Sequence, residues 1–159
     1  NGNSIIESQI IAEYLDAALD GTPTIPADAE GAAHAKMIAR IVDIYMAPAM
    51  EHFWVNRGYP ADQVKIAAEE KLPAAFDYLE RFISEGGYAS GNSWSVADAA
   101  IIPWLFHMKL FAKKHGIDGF GDRPKLQAWH EAIKQSDIGQ NSFARSSKAL
   151  EKVMAAAKK

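Results

Sequence analysis

Residues 95–106 read SVADAAIIPWLF, and this stretch decides the fold. Ser95 and Asp98 stand three apart just ahead of a strongly apolar run. At that spacing a serine caps the free amides of a helix start, while the carboxylate reaches back to the serine's own N–H. Aspartate takes the place of the more usual glutamate. The run from Ala99 to Phe106 is far shorter than the roughly 20 residues a membrane span requires, and His107 and Lys109 end it. The stretch therefore predicts a buried helix, the most apolar of the chain, with Ser95 and Asp98 as folding residues.

Working outward, apolar residues recur at spacings of three and four almost everywhere, and strict alternation is confined to the first few residues. GGYASGN, residues 86–92, reads as a loop. Ahead of it, Val64, Ala68, Leu72, Phe76, Leu79 and Ile83 form one stripe of a helix expected from Ala61 to Ser84, with Pro73 a probable kink. RGYP separates it from a longer helix expected from Asp28 to about Asn56, in which Pro48 is the corresponding kink. TPTIPADAEG, residues 22–31, reads as a linker. A first helix is expected from near Glu7 to Asp20-Gly21, with Ile11, Leu15 and Leu19 on one face. Downstream, Pro124 opens the helix of PKLQAWHEAIK, and a tail helix is expected from about Ser146 with Leu150, Val153, Met154 and Ala157 on one side. The sum is an all-α helical bundle of about six helices with at most one strand stub.

That stub is the opening, NGNSII. Asn-Gly is the dipeptide of two-residue hairpin turns, because both of its positions accept positive φ, and SII follows it as a short strand. A hairpin needs a first strand, so the chain is expected to be the C-terminal part of something longer.

The 159 residues, 48% hydrophobic and 23% charged, suffice for one domain with a proper core. A net charge of -3 argues against a nucleic-acid partner. Acidic side chains concentrate before residue 109 and basic ones after it, as solvated helix faces do. There is no cysteine, so neither a disulfide nor a thiolate site is available. No targeting segment or membrane span is read, which makes the cytoplasm the expected location.

Among candidate chemistries, the five histidines include no i, i+4 pair and no HExxH, and no metal site is expected; His52, His107 and His130 read as structural. GGYASGN lacks a phosphate-loop lysine, and no GxSxG surrounds Ser8 or Ser95. Glu7-Ser8 is different. It lies where a strand turns into a helix, and the unpaired amides and positive dipole end there favour an anion such as a carboxylate, to which a serine hydroxyl adds a donor. Tyr45, Phe53, Trp54, Trp104, Phe106 and Met108 read mainly as core, with an apolar cleft as the minority reading. Tyr45, Met46, Met50 and Phe53 cluster within about two turns.

Three stretches together resemble the cytosolic glutathione S-transferases. IIESQIIAEYL resembles the E-S-x-x-I-x-x-Y-L segment that ends their thioredoxin-like domain. SVADAAIIPWL resembles the S-x-A-D box of their all-helical C-terminal domain, and RPKLQAWHEAI resembles the later P-x-L-x-x-W helix. Ile10 departs from the alanine more usual there.

The resemblance implies a remnant of the glutathione-binding domain over 1–20, a linker over 21–28 and the helical domain over 29–159. It implies glutathione as co-substrate, held at its γ-glutamyl end by Glu7 and Ser8. It also implies an electrophile pocket, for which Tyr45, Met50, Phe53, Trp104 and Met108 are the candidates, and no metal. The thiol-activating residue precedes this stretch in that family, so the chain alone is expected to be nearly inactive. The family's usual homodimer is expected too, with Ile5, Ile6 and Ile11 left exposed and prone to associate when the sheet is absent. The alternative function is a non-catalytic interaction module, since the same helical domain serves as an assembly element in translation factors and aminoacyl-tRNA synthetases.

Overall fold

The computed structural model describes residues 2–54 and 57–156; within the last helix the side chains of Val153, Met154 and Ala156 lie outside the description. The described residues form six helical rods. The first is α1 (Ser8–Ala18). The second runs as α2 (Ala29–Ile41), a π turn (Val42–Met46) and α3 (Ala47–Glu51). The third runs as α4 (Ala61–Ile66), a π turn (Ala67–Lys71) and α5 (Leu72–Phe82). Then come α6 (Val96–His115), α7 (Pro124–Gln135) and α8 (Asp137–Ala156).

The kinks expected at Pro48 and Pro73 take one form. Each π turn begins six residues ahead of its proline, and the residue just before the proline donates five residues back, Ala47 to the Val42 carbonyl and Leu72 to the Ala67 carbonyl. A proline ring collides with the carbonyl four residues earlier and brings no N–H to it. Admitting one extra residue into the turn relieves that collision while the rod continues.

Three boundaries differ from expectation. The second rod stops at Glu51, where the His52 ring donates from Nδ1 to the Pro48 carbonyl at 2.8 Å and helps close the end. The tail helix starts at Asp137, well before Ser146, because the Ser136 hydroxyl accepts from the Gly139 N–H at 3.1 Å. Residues 2–7 form no strand: a strand without a neighbour leaves its ladder of N–H and C=O groups unpaired, so the SII stub does not persist by itself. Asn1 of the expected Asn-Gly turn, like Ala157 of the tail stripe, lies outside the described residues.

The core sits between α2, α5 and α6, closed by α7, with α8 against α6 and α7. Met46, Met50, Leu72, Phe76, Ile101, Leu126, Trp129 and Ile133 are buried in it. At its centre the expected capping box is present: the Ser95 hydroxyl accepts from the Ala97 N–H at 3.2 Å, and Asp98 accepts from the Ser95 N–H at 3.0 Å. The other Asp98 oxygen accepts from the Ala89 N–H at 2.8 Å and from the Trp129 indole at 2.9 Å, which ties loop, α6 and α7 together.

The linker is anchored at both sides. Asp16 of α1 accepts from Thr24 and Ile25 amides at 2.8 and 2.9 Å, while the Thr24 carbonyl accepts from Val96 at the start of α6, also at 2.8 Å. An ion pair between Glu13 and Lys36 at 2.9 Å joins α1 to α2. These contacts tie the second half of α1 to the linker and to α2, although none of its residues is fully buried.

Candidate functional site

Two places in this fold present groups suited to a ligand. The first is the beginning of α1. Glu7 has φ 71 and ψ 119, and among the described residues it is the only non-glycine with positive φ. An L-residue held there costs about 1–3 kcal/mol, and such outliers gather at ligand-binding positions. No side chain caps α1, and its first turn carries no acidic residue. Ile11 is the first residue of the helix whose N–H finds a carbonyl, that of Glu7 at 2.9 Å. The preceding amides and the exposed Ser8 hydroxyl are thus open to an anion at the positive end of the helix dipole.

The second is a cleft of about 510 Å3 where the end of α3, α4 and the end of α6 meet. Phe53 and Trp54 line it, with Tyr59 before α4, Val64 and Ala68 beneath, and His115 at the end of α6. Tyr59 stacks on His52 with ring centroids 4.2 Å apart, and Phe53 meets His115 at 5.0 Å.

The five candidate pocket residues do not form one patch. Met50 and Met108 are 0% and 6% exposed and belong to the core. Phe53 is also core on most of its surface yet lines the cleft. Tyr45 is exposed and stacks on Tyr78 at 4.6 Å, and Trp104 is half-buried beside His107; neither lines the cleft. The reason is phase: at about 100° per residue Met50 lies roughly 140° round the rod from Tyr45, so the two face different sides. Reading along the chain missed Tyr59, Lys114 and His115, because nothing local shows that the end of α6 meets the start of α4.

The histidines of α6 sit in aromatic surroundings. His107 lies among Trp54, Trp104 and Phe106, and its Nδ1 is buried with no partner among the described residues; the same holds for His115 Nε2. Burial holds the pKa of both rings below the usual histidine value, with Lys114 adding to the effect at His115; burial also lowers His130. The folded state therefore binds these protons less tightly than the unfolded chain. Their contribution to stability is complete above the unfolded pKa near 6.5 and is lost as pH falls through the lowered folded values. Urea unfolding is expected to show a lower midpoint at pH 5 than at pH 7.5, and His107→Phe should reduce the difference. Asp98 acts in the opposite sense. Burial raises its carboxyl pKa against the hydrogen bonds that lower it, so its contribution falls as pH rises from 3.8 through the raised value.

Comparison with known proteins shows what this chain is similar to. The family model "Glutathione S-transferase, C-terminal domain" matches residues 59–132. Glutathione S-transferase omega-1 of Sus scrofa is 30% identical over 134 residues, which cover 83% of this chain and 53% of the relative. Glutathione S-transferase U25 of Arabidopsis thaliana is 24% identical over 151 residues, covering 94% of this chain and 66% of the relative. Among solved structures, maleylacetoacetate isomerase from Anaeromyxobacter dehalogenans superposes with a TM-score of 0.70 at 20% identity, over 89% of this chain and 65% of that one, a likeness of fold.

These curated relatives are glutathione S-transferases, and the matched stretch of this chain is similar to their C-terminal domain. The chain spans about half to two thirds of the length of these curated relatives. Among the described residues no helix is long and apolar enough to cross a membrane, and no group of three or more histidine, aspartate or glutamate side chains is placed to hold a metal ion.

Proposed function

We propose that this chain is the helical domain of a cytoplasmic glutathione transferase together with the closing helix of its glutathione-binding domain. The strained backbone of Glu7 at the uncapped start of α1 is the observation that carries the reading. The γ-glutamyl end of glutathione bears an ammonium and a carboxylate. Glu7 supplies a negative charge for the first; the Ser8 hydroxyl and the free amides of α1 supply donors for the second.

The tripeptide thiol gives up its proton and its thiolate sulfur bonds to an electrophilic carbon of a largely apolar substrate. The new bond displaces a leaving group that departs with its electron pair or, in an addition, shifts a π pair that takes up a proton; no residue of this chain is assigned as the thiol activator. Tyr45 and Trp104 are the accessible candidates for contact with that substrate, while Met50 and Met108 are core and Phe53 turns its edge to the cleft at the end of α6. Solved relatives in this fold carry glutathione or a glutathione adduct, which agrees with the assignment.

The homodimer belongs to the same proposal. Ile6 and Ile11 are exposed as expected, Ile5 is half-buried, and Ile10, Tyr14, Leu15 and Leu19 of α1 are exposed as well. Such a concentration of apolar surface suits a second subunit.

Titration calorimetry with glutathione, on the full-length protein, tests the site. Ser8→Ala should weaken binding about tenfold to a hundredfold, the effect of losing one hydrogen bond to a charged group. Glu7→Gly should weaken it as well while raising thermal stability, because glycine adopts this φ without strain. A folded wild-type protein that does not bind glutathione would remove the enzyme reading and leave the interaction module.

A further inference from the structure

The cleft at the end of the bundle carries more chemistry than core packing requires. Its walls include aromatic and aliphatic side chains, its volume of about 510 Å3 falls within the range of roughly 300–1,000 Å3 typical of small-molecule sites, and its polar lining residues are His52, Tyr59, Lys65, Glu69 and, from the end of α6, Lys114 and His115. His115 lines the cleft, and its Nε2 is buried without a partner among the described residues, which is costly for a donor or acceptor left unpaired. Lys114, next to it in the chain, lines the same cleft and makes no ion pair among the described residues. Glu69 is the single carboxylate of the lining, and its ion-pair partner is Lys65 at 3.9 Å rather than Lys114.

We propose that this cleft binds a planar aromatic carboxylate, with its ring against Phe53 and Trp54 and its carboxylate at Lys114 and His115. The assignment is independent of the glutathione reading, since it uses neither Glu7 nor Ser8. The aromatic walls supply ring contacts, and a charge-assisted hydrogen bond from the His115 ring with the Lys114 ammonium selects for the acid over a neutral molecule of the same shape.

Lys114 also sits in the last turn of α6, where any cation is favoured by the helix dipole. Lys113 shares that position without lining the cleft and is therefore the control.

The test is calorimetric titration of the full-length protein with 1-naphthoate and with 1-naphthalenemethanol, in the absence of glutathione. One-to-one binding of the naphthoate is expected, about fivefold or more tighter than the alcohol, with Lys114→Met bringing the two ligands to the same affinity and Lys113→Met changing neither. Val64→Trp, which fills the cleft floor, should abolish binding of both. Equal affinities for acid and alcohol in the wild-type protein, equal losses in Lys113→Met and Lys114→Met, or no saturable binding up to about millimolar naphthoate would each overturn the proposal.

Discussion

Asp98→Ala is expected to lower the free energy of unfolding by about 3–5 kcal/mol, the range found when a buried charged group is removed and its partners are left behind. The Ala89 N–H, the Trp129 indole N–H and the Ser95 N–H all lose their acceptor, at sites 0–2% exposed. A domain of this size has about 5–15 kcal/mol in total, so the variant should be only marginally folded at 37 °C. Asp98→Asn retains a single carbonyl oxygen and places an NH2 among donors; it should lose nearly as much. Trp129→Phe keeps the ring and removes one donor, and its cost of about 1 kcal/mol should shrink once Asp98 is alanine, because the indole no longer has an acceptor to lose. Urea unfolding of the single and double variants measures this directly. A loss below about 1 kcal/mol for Asp98→Ala would mean that the hub is not what joins α6 to α7.

Gly139→Ala is the second large effect, expected at about 2–3 kcal/mol or more. Gly139 is buried in the first turn of α8 and has ordinary helical φ, so space is the issue. A β-carbon there falls on the carbonyl oxygen of Ile133 and 3.0 Å from its Cγ2, and neither the α7 backbone nor a fully buried isoleucine can yield cheaply. Relief requires α8 to swing away from α7, so amide exchange should speed up in α8 before α2 and α5. Gly21→Ala, where a β-carbon meets nothing within 4 Å, should leave the melting temperature almost unchanged and serves as the comparison. Equal melting temperatures for the two variants would show that the α7–α8 contact adjusts freely.

Several of these features could be read from neighbouring residues alone. Ser95 and Asp98 stand three apart, and the reciprocal cap follows from that spacing in any helix start. Pro48 and Pro73 mark where each long rod must depart from ideal geometry, and Pro124 marks the first turn of α7. The start of a helix at Glu7-Ser8 is equally local, and α1 begins at Ser8. The early start of α8 was missed because Ser136-Asp137 is a cap whose helix has few apolar positions to announce it.

Tertiary structure decided the rest. Asp98 reaches Trp129, 31 residues on, only because α7 packs across α6. The start of α7 is capped by a carboxylate from another helix, as Glu80 of α5 accepts from the Lys125 and Leu126 amides at 3.1 and 2.9 Å. Arg123 bonds Asp77 and the Pro73 carbonyl from 46 and 50 residues away. Met50 and Met108 are core while Tyr45 is surface, and His115 shares a cleft with Tyr59. The sequence by itself determined where helices begin, end and bend, because caps and prolines act through atoms within one turn. Which face of each helix is buried, and which side chains from distant helices meet at a site, follows from the packing of whole rods against one another, an energy summed over many contacts that no local spacing encodes.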